Sequence, residues 1–171
     1  MIKKRPAYKV KINPDDDISG VYAVSLVDFP AIESDFIKLS AQDVIEIAFS
    51  ANRDKQMLFG ALLIPNKLIF RRNEKTGEEF DIFFDEETIQ LIADKYNEKK
   101  IGDIFNFMHS DVKVEAFLLQ NWITGKIDKS QEYGFSLPEG SWFGAVKVKN
   151  EDFWLNQVKT DKVNGFSVEI N

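Results

Sequence analysis

The chain carries a single imidazole, His109. An unperturbed imidazole titrates near pH 6.5, so it can take up a proton at neutral pH and return it later in a reaction. A hydroxyl is a weak nucleophile until such a base lies within hydrogen-bond reach and an oxyanion donor stands nearby. Two serines occupy the tripeptide Gly-Phe-Ser, Ser136 and Ser167. Ser136 runs straight into Leu137-Pro138-Glu139-Gly140 and belongs to a turn. Ser167 lies inside the strand-like Gly165-Phe166-Ser167-Val168-Glu169-Ile170, whose rigid backbone would fix the direction of its hydroxyl. A third group must orient the imidazole, and only carboxylates are on offer. Glu115 sits in an apolar stretch where a charge needs a reason to exist. Asp111 and Glu169 are the alternatives, and Glu169, two residues beyond Ser167, emerges on the same strand face. Each of these residues also has an ordinary structural role open to it. A lone His often satisfies one backbone group, a strand serine fills a sheet surface, and Glu115 would suit the solvated face of an alternating strand.

The elements that must position these groups are mostly extended. Val21 to Val27 reads as a buried strand, ended by Asp28-Phe29-Pro30 because Pro cannot donate to a ladder. Asp35 to Leu39, Val44 to Phe49 and Met57 to Ile64 are further strand candidates, and Gly60 inside the last run suggests a bulge or a close backbone approach. Lys67 to Arg71 and Glu79 to Phe84 are predicted to pair across the charged loop Asn73 to Gly77. Lys9 to Ile12 reads as a short edge strand or a loose terminus. The clearest helix begins at Asp85, a good N-cap, and carries Ile89, Ile92, Ala93 and Tyr96 at helical spacing until Gly102 breaks it. Val112 to Ile123 and Trp142 to Lys149 are predicted strands, and Asn150 can cap a short helix through Glu151, Phe153, Trp154 and Val158. The pattern predicts one mostly β domain with helices over residues 1–171, its first 18 residues loosely attached.

Composition closes off several functions. There is no cysteine and one histidine among 171 residues, which excludes disulfides, thiolate nucleophiles and Cys-based zinc sites; no metal and no cofactor is expected. A net charge of −6 disfavours nucleic acid as a partner. No window approaches the roughly 18 apolar residues of a membrane span, and the N-terminus lacks the apolar run of a secretory signal, so a soluble intracellular protein is expected. No dinucleotide fingerprint, phosphate-cradling glycine loop or EF-hand pattern is present.

The order of His109, Val114-Glu115-Ala116-Phe117, Gly140-Ser141-Trp142-Phe143-Gly144-Ala145-Val146 and Gly165-Phe166-Ser167-Val168-Glu169 resembles the phage prohead serine proteases of capsid maturation, in particular their XkdF-like branch. Val24-Ser25-Leu26-Val27-Asp28-Phe29-Pro30-Ala31-Ile32 is similar to that family's opening strand and turn. The resemblance implies a closed antiparallel β-barrel flanked by helices, like the herpesvirus assemblins. It implies a serine endopeptidase with Ser167 as nucleophile, His109 as base and Glu115 as the third member. It further implies action on scaffold and major capsid precursor proteins inside the prohead, in the host cytoplasm, with self-cleavage and self-association open. Assemblin-like enzymes use a second His, which this chain lacks. Ser167 lies four residues before Asn171, so a truncated, self-processed or short-branch form is expected. A non-catalytic scaffold- or capsid-binding module on the same fold is the alternative.

Overall fold

The computed structural model describes residues 5–16, 19–28, 37–39 and 55–170. Ten strands are described: β1 (Ala7–Lys9), β2 (Val21–Val27), β3 (Ile37–Leu39), β4 (Met57–Leu63), β5 (Ile69–Arg72), β6 (Glu79–Phe83), β7 (Phe105–Phe107), β8 (Ala116–Ile123), β9 (Trp142–Val148) and β10 (Gly165–Ile170). Two helices accompany them, α1 (Glu86–Glu98) and the short α2 (Glu151–Phe153), which runs on into a π-helical turn over Trp154–Val158. Val44 to Phe49 and the turn after Asp28 lie outside the described residues.

The strands form three small sheets, ordered β1-β6-β5, β10-β2-β7 and β3-β4-β9-β8. The four-stranded sheet is antiparallel throughout, whereas β1 runs parallel to β6 and β2 parallel to β7. The α+β class therefore stands, but the closed antiparallel barrel does not. Closure needs an unbroken ladder with matched strand tilt and stagger. Here β4 and β10 lie side by side without a ladder between them. The hairpin β5–β6 recruits β1 instead of bridging that gap, and bulges at Ala61/Leu63 and Leu118/Gln120 break the regular stagger.

Every residue of β4 is buried, because the central strand of a sheet covered on both faces has no solvated side. One face joins the main core, which draws on residues from Ile12 to Phe166 and receives Ile89, Ile92, Ala93 and Tyr96 of α1. The Tyr96 ring meets Trp142 edge-on at 5.1 Å. On the other face Phe59 stacks on Tyr133 at 4.0 Å, and Phe135 and Trp122 close over Phe143, each at 4.9 Å. Asp85 caps α1 by accepting from the Thr88 amide at 3.0 Å. The helix ends at Lys99, and Lys100 turns left-handed with φ 56°, so it stops before Gly102. Gly102 serves another need: its carbonyl accepts from the Leu118 amide at 2.6 Å, and an added Cβ would sit 3.5 Å from the Leu118 Cβ. Asn150 caps α2 through the Phe153 amide at 2.8 Å.

Candidate functional site

The site is built on β2. Its even positions, Val24 and Leu26, enter the core, which leaves Ala23, Ser25 and Val27 on the opposite face. Antiparallel β10 sets Ser167 directly across from Ser25 and Glu169 across from Ala23. Residues facing each other across such a ladder share a face, so Ser25, Ser167 and Glu169 point to the same side. Parallel β7 supplies Asn106 beside Ser25 from the other flank.

His109 arrives on the turn after β7. The Ser110 amide donates to the Phe107 carbonyl at 3.0 Å, and Met108 and His109 both hold left-handed φ values, 52° and 53°. Positive φ at both central residues is the mark of a type I′ turn, a geometry normally filled by Asn, Asp or Gly. Met108 has no side-chain polar group to offset the strain, which costs about 1–2 kcal/mol for each such residue. The turn is held by its surroundings: the Met108 amide donates to the Leu26 carbonyl at 3.1 Å, and the Ser110 hydroxyl donates to the Phe107 carbonyl at 2.5 Å.

Four side chains converge there. Asn106 Nδ2 donates to Glu169 Oε1 at 2.5 Å, and the Ser25 hydroxyl lies 2.7 Å from the same oxygen and 2.5 Å from Asn106 Oδ1. His109 Nδ1 lies 3.2 Å from Glu169 Oε1 and 3.0 Å from Ser25 Oγ. A carboxylate only accepts, so Nδ1 carries the ring proton and Nε2 is left as the free basic nitrogen. Burial alone would push the Glu169 carboxyl up. The hydrogen bonds from Asn106, Ser25, Tyr22 and His109 outweigh it and bring the group down to about 2. The same Glu169 contact, with burial and the carboxylate's charge, raises the Tyr22 phenol. The His109 side chain keeps 47% of its surface exposed, while Glu169 keeps 17%.

These groups open onto a cleft of about 970 Å³ lined by Tyr22, Ala23, Asn106, His109, Glu115 and Glu169, among others. Glu115 is exposed just before β8; its carbonyl accepts from the Lys149 amide at 2.7 Å, and no hydrogen bond of its carboxylate is found among the described residues. Asp111 lines the same cleft and is exposed. The structure thus joins His109 to Glu169 and leaves Glu115 and Asp111 at the rim. Ser167 is buried and lies one cross-strand step from the cluster, with no hydrogen bond to His109 among the described residues, and it lines a second cavity of about 410 Å³ beside Leu62 and Val168 rather than this cleft. Ser136 is exposed in the segment that leads to Pro138 and lines no part of the cleft.

Sequence reasoning missed Ser25, Asn106 and Tyr22. The available signal was a polar residue inside each of two apolar runs, Val-Ser-Leu and Phe-Asn-Phe, since a buried polar group needs a partner. Among the described residues no cluster of three His, Asp or Glu could hold a metal ion, and no helix is long and apolar enough to cross a membrane. No known protein family, curated protein or solved structure matches the chain.

Proposed function

We propose that this chain is a serine endopeptidase with Ser167 as nucleophile, His109 as general base and Glu169 as the carboxylate that orients the imidazole. The observation that carries the reading is the 3.2 Å contact of His109 Nδ1 with Glu169 Oε1, made from the same strand face that bears Ser167. Glu169 takes the orienting role in preference to Glu115, because Glu169 touches the ring. In the reaction His109 Nε2 removes the Ser167 proton as the hydroxyl oxygen attacks the scissile carbonyl. The imidazolium, stabilised by Glu169, then passes that proton to the departing amine. Water repeats the sequence on the acyl-enzyme and releases the acid. Scaffold and major capsid precursors of a phage head are the proposed substrates, supported by the ordered motifs from Val24 to Glu169.

A fluorophosphonate probe with peptide mapping by mass spectrometry tests this. Ser167 is expected to carry the label, and His109→Ala is expected to prevent labelling while the circular dichroism spectrum is retained. A second reading has its own support: Ser25 Oγ, not Ser167, lies 3.0 Å from the ring. Ser25 is fully buried and already engaged by Asn106 and Glu169, which argues for a positioning role. A label on Ser25 would reverse that assignment. Absence of any label, with stoichiometric capture of a scaffold or capsid protein, would leave a non-catalytic binding module.

A further inference from the structure

Ser25 and Asn106 face each other in register across the parallel pair β2–β7. Ser25 is fully buried and Asn106 half-buried. The Ser25 hydroxyl oxygen lies 2.5 Å from Asn106 Oδ1. The carboxamide carbon is bonded to that Oδ1 at about 1.23 Å, so it stands within about 3.7 Å of the hydroxyl oxygen, close to the separation of atoms about to react.

Glu169 Oε1 touches both ends of the exchange that such a pair allows. It lies 2.7 Å from Ser25 Oγ and 2.5 Å from Asn106 Nδ2. The single hydroxyl proton can point to Oδ1 or to Oε1, and on Oε1 it leaves the lone pairs of Oγ free for the carboxamide. One carboxylate oxygen can then take a proton from an attacking oxygen and hand it to a departing nitrogen. A serine beside an asparagine is ordinarily a plain hydrogen bond. The shared carboxylate oxygen and the exclusion of water from Ser25 set this pair apart.

We propose that Ser25 and Asn106 react with each other to form an intramolecular ester that clamps β7 to β2. Ser25 Oγ bonds to Asn106 Cγ as Glu169 takes the hydroxyl proton. The Cγ–Nδ2 bond then breaks, Nδ2 receives that proton from Glu169, and ammonia leaves through the cleft that Asn106 lines. No oxidant, metal or co-reactant enters, and the carboxylate ends as it began. A carboxyl held near 2 is a weak base, so the reaction is slow, but it has to occur only once per chain and its partners are already in place. Loss of ammonia to solvent and the burial of Ser25 oppose its reversal. Glu169 keeps His109 and Tyr22 as donors afterwards, and Ser167 takes no part, so the ester goes beyond the peptidase reading and does not rest on it.

Mass spectrometry of the intact chain after prolonged incubation at neutral pH tests it. The chain is expected to be lighter than its sequence by about 17 Da, the mass of one ammonia. Peptide mapping should find the segments bearing Ser25 and Asn106 joined, and neutral hydroxylamine should separate them. Ser25→Ala and Glu169→Gln are each expected to keep the full mass, with the fold checked by circular dichroism. Should Glu169→Gln fail to fold, Ser25→Ala, which removes a single oxygen, carries the comparison. Ser167→Ala is expected to lose ammonia as the parent chain does, so the ester and the peptidase reading fail separately. A parent chain that stays at its full mass overturns the proposal. The same loss in Ser25→Ala also overturns it, because it would mark a cyclic imide at an asparagine instead.

Discussion

At the scale of single residues, His109 is held in a backbone conformation that its type does not favour. Asn tolerates left-handed φ better than His, so His109→Asn is expected to keep or raise the unfolding free energy read from urea denaturation, by up to about 1 kcal/mol, while it ends fluorophosphonate labelling. A loss of stability in that variant would mean that the hydrogen bonds of the ring outweigh the strain. Glu169 sets a second expectation. Its folded carboxyl titrates near 2 against an ordinary value of 4.5, so the stabilisation it lends is full above about pH 4.5 and disappears as the pH falls from there towards 2. Glu169→Gln should flatten the fall in urea stability over that window, leaving the other carboxylates to account for what remains. Ser167, His109, Glu169 and Glu115 were all visible as candidates in the sequence. What could not be read was which carboxylate meets the ring, because that depends on strand register, and register has no local signature.

At the scale of elements, the segments with strong local chemistry were legible. Asp85 and Asn150 act as the caps their types announce, and Glu79 to Phe83 returns on Ile69 to Arg72 across the loop that Asn73 organises. Asn73 Oδ1 accepts from the amides of Lys75 and Thr76 at 3.0 and 3.2 Å, a local bond that needs nothing from the rest of the chain. The strand predicted over Val112 to Ile123 is shorter: Lys113 makes an isolated bridge to Asn106, and β8 begins only at Ala116. Asp85 also pairs with Lys9, which ties α1 to β1. Asp85→Ala is therefore expected to cost about 1 kcal/mol in thermal or urea denaturation, and Asp85→Asn distinctly less, because Asn restores the cap and loses only the exposed ion pair. Gly144 faces Gly60 across the β4–β9 ladder, and a methyl there would stand 2.9 Å from Leu118 Cδ1 and 3.1 Å from Leu62 Cδ1. Gly144→Ala is expected to destabilise by about 1–3 kcal/mol through overpacking, read as a lowered Tm.

At the scale of the whole molecule, the mixed α+β class followed from alternation and turn spacing, but the way the sheets join did not. Barrel closure is a property of strand tilt, stagger and partner choice summed over distant segments, and short strands such as β1 and β7 carry little of that information. The parallel pairing of β1 with β6 and of β2 with β7 is of this kind. The pairing of β2 with β10 has a temporal consequence. Ser25 and Glu169 touch although 144 positions separate them. During synthesis at about 5–20 residues per second, the hydroxyl, the amide of Asn106 and the imidazole can all leave the ribosome well before their carboxylate does. A nascent chain therefore carries Ser25, Asn106 and His109 for several seconds before Glu169 is there to accept their hydrogen bonds.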